Sequence, residues 1–71
     1  MKITKIKENS LAQQIGLSIG DSLIKINGER VLDHLDYEFR IAEESITLEL
    51  QIKGQLNQIT VEKDYDDDLG V

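Results

Sequence analysis

Cysteine, proline and tryptophan are absent from this 71-residue sequence, which holds one histidine, one phenylalanine and two tyrosines. Without cysteine the chain can form no disulfide, no thiol nucleophile and no thiolate-bound zinc or iron–sulfur centre. A chain so short and unstapled must draw its stability from one compact core, and ten isoleucines and nine leucines supply the material. Basic side chains are scarce too: eight Lys and Arg against fourteen Asp and Glu leave a net charge of −6. Nucleic acid and anionic membrane both require clustered Lys and Arg, so neither is expected as a partner. No apolar run approaches the length a bilayer demands, and Met1–Lys5 is too short and too polar for a secretory signal. The expectation is one soluble, cytoplasmic domain covering residues 1–71, folded rather than disordered at 39% hydrophobic content.

Along the chain, Lys2 to Lys7 reads as a short strand with Ile3 and Ile6 inward, their odd spacing implying a twist or bulge. Ser10-Leu11-Ala12-Gln13 matches a capping box: the Ser hydroxyl and the Gln side chain satisfy free amides at a helix start. Gly16 supplies a left-handed stop after barely two turns, and Leu17 stands where a hydrophobic cap contact belongs. Gly20-Asp21 marks a turn, Ser22 to Ile26 a buried strand, and Asn27-Gly28 a tight turn that returns Val31 to the core. Leu35, Phe39 and Ala42 recur at helical spacing beside Tyr37 and Ile41, which predicts an amphipathic helix from Asp33 to Glu44 with Glu38, Arg40, Glu43 and Glu44 on its wet side. Strict alternation through Ile46, Leu48, Leu50 and Ile52, then Ile59 and Val61 after Lys53-Gly54-Gln55, predicts a β-hairpin. From Lys63 onward charge rises and periodicity stops.

Chemistry finds little footing. His34 has no serine near it in a nucleophile turn, and Gly16, Gly20 and Gly28 form no phosphate-binding pattern. Glu43-Glu44 is surface charge without a pocket to perturb it. Asp64, Asp66 and Asp68 alternate as a calcium loop begins, but the glycine falls seventh instead of sixth and the bidentate glutamate is missing, so a solvated acidic turn is the better account. Neither a catalytic residue nor a metal site is expected.

Strand, short helix, strand with an Asn-Gly turn, longer helix and hairpin make a small α+β domain with a partly open antiparallel sheet. The block Asn9-Ser10-Leu11-Ala12, Gly16-Leu17, Gly20-Asp21-Ser22-Leu23-Ile24-Lys25-Ile26-Asn27-Gly28 and Val31 resembles a PDZ domain, departing from many bacterial members at Leu11, where they carry proline. The resemblance implies a partly open antiparallel β-barrel or sandwich with one short and one longer helix. Leu69-Gly70-Val71 is similar to the hydrophobic-Gly-hydrophobic loop that holds a peptide carboxylate in such domains. Its place at the end implies the circularly permuted, bacterial arrangement, with the chain truncated after that loop. The tail from Glu62 to Gly70 and the pair Asp36-Tyr37 are also similar to the N-terminal PDZ-like domain of a bacterial radical SAM family. That likeness implies an iron–sulfur cluster and S-adenosylmethionine in a parent protein and no cofactor in this chain, which lacks the Cys-x-x-x-Cys-x-x-Cys motif.

The resemblance implies a non-catalytic module binding a peptide, a protein or a neighbouring domain of the parent. Leu69, Gly70 and Val71 would offer backbone amides to a carboxylate, although Asp66, Asp67 and Asp68 beside them oppose an incoming anion. Leu23, Ile24, His34, Leu35, Glu38 and Phe39 would line the groove, with Leu35, Phe39, Ile41 and Ala42 mainly in the core. The alternative is an assembly element, a homodimer built through an exposed sheet edge.

Overall fold

A computed structural model describes residues 1–71, in the order α1 (Leu11–Gln14), β1 (Ser22–Ile26), β2 (Glu29–Arg30), α2 (His34–Arg40), β3 (Ser45–Ile52) and β4 (Gln55–Glu62). The strands form one antiparallel sheet in the order β2-β1-β3-β4, unclosed, with β4 on an outer edge.

Local chemistry accounts for the elements. Ser10 caps α1 by accepting from the Gln13 amide, and Gln13 Oε1 accepts from the amide of Asn9, one residue ahead of the cap. The helix is one turn long, because Gly16 at φ +91° turns the chain and the Leu17 amide bonds back to the Ala12 carbonyl at 3.0 Å. Asn27 and Gly28, at φ 50° and 80°, make the β1–β2 turn. Asn27 does more than turn: its Oδ1 accepts from the Thr47 amide and its own amide donates to the Thr47 carbonyl, both at 2.8 Å, which ties the turn to β3. Lys53 and Gly54 repeat the positive-φ pair between β3 and β4.

The period-two pattern of β3 places Ile46, Leu48 and Leu50 fully inside, where they meet Leu23 and Ile26 of β1 and Val61 of β4. Full burial of each such side chain stabilises by roughly 1.5–3 kcal/mol relative to exposure. Between Leu23 and Lys25 the β1–β3 register shifts, so Ile24 is the extra residue of a bulge; its carbonyl accepts from the Val31 amide.

Two expectations are corrected. Lys2 to Lys7 forms no strand but only a single antiparallel bridge, Lys2 with Ser22 at the start of β1, because the segment then runs on beside the Gly20-Asp21 turn; Ile3 exchanges both its hydrogen bonds there, with Asp21 and Gly20. The second helix ends at Arg40, a turn short of Glu44, since Ile41 is drawn into the core and Ser45 already begins β3. It also lies about half a turn round from the expected phase. Tyr37 and Ile41 face inward, whereas Leu35 and Phe39 are 76% and 80% exposed. At about 100° per residue, positions 35 and 37 point to nearly opposite sides, so burying one stripe exposes the other.

Candidate binding groove

The C-terminal segment is bound to the body by backbone groups. The Leu69 carbonyl accepts from the Ala12 amide at 2.9 Å and the Gly70 carbonyl from the Lys7 amide at 2.8 Å. Leu69 is completely buried. Gly70, at φ +85°, lies so close to Ser10 that a Cβ there would collide with the Ser10 Cβ, so any other residue is strained and forces a shift. The Leu69 amide donates to the Tyr37 hydroxyl at 2.9 Å, and the Gly70 amide to Asp68 Oδ1 at 2.9 Å. Burial pushes the Tyr37 phenol up to about 12, with Asp68 and Glu38 adding to the rise and the Leu69 and Gly70 amides opposing it.

Between α2 and this segment runs a cavity of about 410 Å³. Tyr37, Ile41, Ala42 and Val71 give it apolar surface; His34 and Glu38 border it on the helix side, Tyr65, Asp66, Asp67 and Asp68 on the other, and Lys7 at one end. His34 Nε2 and Glu38 Oε1 stand 3.3 Å apart, both side chains well exposed.

The site residues expected from the sequence therefore separate. His34, Glu38 and Val71 line the groove, whereas Leu69 and Gly70 do not: both are buried, with their carbonyls bonded to the Ala12 and Lys7 amides. Leu23 is wholly buried opposite Leu50 and Ile24 stands in the bulge, and neither reaches the cavity. Leu35 and Phe39 point away from it on the outer face of α2, where the Arg40 guanidinium lies 6.0 Å from the Phe39 ring. Sequence reasoning misses Tyr37, Tyr65 and Lys7 as groove residues; the signal for Tyr37 is its four-residue spacing from Ile41, which marks one helix face. Asp64, Asp66 and Asp68 do not converge: no three acidic or histidine side chains are grouped to hold a metal ion. No helix is long and apolar enough to cross a membrane.

A groove between the longer helix and a glycine-centred loop, on an unclosed sheet with a short capped helix, is the architecture that the Gly20-Asp21 to Asn27-Gly28 block anticipates. Residues 2–52 match the family described as PDZ domain. This chain belongs to the PDZ domain family. Over 66 residues it is 36% identical to a Clostridium acetobutylicum protein named "Putative zinc metalloprotease". That match takes in 89% of this chain and 20% of the relative, so the PDZ domain spans about a fifth of the relative's length. The family match covers α1, β1, β2, α2 and β3; β4 and the Leu69-Gly70-Val71 segment lie beyond it.

Proposed function

We propose that this PDZ domain is a non-catalytic protein- or peptide-binding module whose ligand lies in the groove between α2 and the Tyr65–Val71 segment. The observation that carries the reading is the groove itself, a cavity of about 410 Å³ with an apolar floor and a polar border. Extended peptides bound by such folds gain affinity from backbone hydrogen bonds and specificity from side-chain pockets. Titrating the isotopically labelled chain with a peptide library and following the backbone amides of Ile41, Ala42 and Val71 tests this. Perturbation confined to surfaces remote from α2 would refute it.

The finer reading makes the module cytoplasmic and the N-terminal part of a bacterial radical SAM iron–sulfur protein. Its support is the similarity of Asp36-Tyr37 and of the Glu62–Gly70 tail. The chain itself lacks cysteine and could not ligate the cluster. The relative named "Putative zinc metalloprotease" gives this parent no support, so the reading rests on those short similarities alone. Intact mass and iron content of the native protein decide between parents: a several-fold larger, iron-bearing species supports the radical SAM reading, and an iron-free one removes it.

A second reading is favoured by β4. Charged side chains and proline ordinarily block edge-to-edge pairing, yet this eight-residue edge strand carries only one charge, Glu62, and no proline. Assembly of two copies through β4 would appear as a dimer in sedimentation, and a strict monomer at high concentration would dismiss it.

A further inference from the structure

This inference rests on the groove being the binding site and concerns what it selects. The carboxylates of Glu38, Asp66, Asp67 and Asp68 border it against one lysine, Lys7. Two of the four are engaged, Glu38 with His34 and Asp68 with the Gly70 amide. Asp66 and Asp67 are exposed and have no side-chain partner within the chain, while Tyr65 beside them is 64% exposed and offers a ring face suited to a cation.

The same groove is poorly arranged for an anion. A carboxylate placed against Leu69-Gly70-Val71 would need amides of which two are already satisfied, by the Tyr37 hydroxyl and by Asp68. It would also sit within a Debye length, about 8 Å at physiological salt, of the aspartates next to that loop.

We infer that the groove takes a basic peptide segment. A Lys or Arg side chain meets Asp66 and Asp67, an apolar neighbour rests on Ile41 and Ala42, and a free C-terminal carboxylate is not required.

The test uses the 71-residue chain and three labelled hexapeptides of Leu and Ala that differ only in a central pair of Arg, Gln or Glu. Each is prepared as free acid and as amide. Fluorescence anisotropy is measured at about 0.1 M and about 1 M salt, where the Debye length falls from ~10 to ~3 Å, and amide shifts at Ile41, Ala42 and Val71 locate the bound peptide. The expected result is an Arg peptide bound at least about ten-fold more tightly than its Glu counterpart at the lower salt, equally as acid and amide. That preference should collapse at the higher salt and in the Asp66→Asn, Asp67→Asn double variant. Equal or tighter binding of the Glu peptide, or a free acid about ten-fold better than its amide, overturns the charge preference while groove shifts would keep the groove reading. If no peptide of any charge shifts those three amides, the groove reading itself fails and this inference falls with it.

Discussion

The Tyr37 hydroxyl accepts the amide hydrogen of Leu69 at 2.9 Å, a buried bond between residues 32 apart in the chain. It fixes the C-terminal segment against α2 and so sets the width of the groove. Because Leu69 is wholly buried, no water can replace the hydroxyl without opening the structure.

Removing that hydroxyl by Tyr37→Phe leaves the ring packing intact and the Leu69 amide unpaired. Leaving a buried donor unsatisfied costs about 1–3 kcal/mol. For a domain of this size the melting temperature should fall by roughly 4–8 °C per kcal/mol. Hydrogen exchange should accelerate at Leu69 and Gly70 before it does in β3. An unchanged melting temperature would show that the bond contributes nothing net.

The same phenol predicts an alkaline limit. Its pKa is raised to about 12 in the folded chain, chiefly by burial, against about 10 when unfolded. Between those values the unfolded chain loses the proton and the native chain keeps it, so stability is constant on this account below pH ~10 and declines as pH rises toward ~12. The slope approaches about 1.4 kcal/mol per pH unit. Tyr37→Phe should lack this component, and denaturant titrations of both proteins at several alkaline pH values would reveal the difference; parallel declines would contradict it.

The elements with local chemistry are legible in the sequence, and those set by distant partners are not. Ser10, Gly16 and Gly28 act through neighbours a few residues away, as Asn27 does in its turn, and these turns and the cap form as expected; the two bonds from Asn27 to Thr47 have no such local signal. Strict alternation in β3 names Ile46, Leu48 and Leu50 correctly. The phase of α2 is ambiguous because two apolar stripes compete on it. Leu35 and Phe39 look as suitable as Tyr37 and Ile41 until the position of Leu69, far along the chain, supplies a buried amide that only Tyr37 can meet. The charged tail gives no periodic signal, since it is held by backbone carbonyls, one hydroxyl and the single buried side chain of Leu69 instead of by a repeating hydrophobic face.

This competition makes the helix a place to test the packing. Phe39→Ser, at an 80% exposed position, should change stability by no more than about 0.5 kcal/mol. Ile41→Ala, at a 6% exposed position, should cost about 2–5 kcal/mol. Reversed magnitudes in urea denaturation would mean that α2 presents the Leu35–Phe39 stripe to the core.

Gly70 and Ser10 should be coupled in a double-mutant cycle. Gly70→Ala forces a side chain into a positive-φ position and against the Ser10 Cβ, two separate penalties. Ser10→Gly removes the second, and since glycine is itself an acceptable cap it costs only a few tenths of a kcal/mol. The Gly70→Ala penalty should therefore shrink in the Ser10→Gly background by about 0.5–3 kcal/mol, the range for residues in contact. Additive effects would show that the collision is relieved by movement of the tail.

Asp21 ties two distant turns through one carboxylate. It is 7% exposed, with Oδ2 accepting from the Ser18 amide at 2.9 Å and Oδ1 from the Lys53 amide at 3.1 Å. The Gly20-Asp21 pair thus owes its place in the sequence to two jobs: the glycine turns the chain at φ +100°, and the aspartate then fastens the β3–β4 hairpin to the turn ahead of β1. Asn keeps one acceptor oxygen and must present its NH2 to the other amide, so Asp21→Asn places donor against donor and cannot serve as a conservative exchange. Asp21→Ala loses both bonds and should cost about 2–4 kcal/mol, hydrogen bonds to a charged group being worth about 1.5–3 kcal/mol each and not fully additive. Exchange of the Lys53 amide should quicken in both variants by more than the global loss of stability explains, because the hairpin turn is released locally. If Asn proved as stable as Asp, the two amides would not depend on one carboxylate and the link between the turns would have to be carried by packing alone.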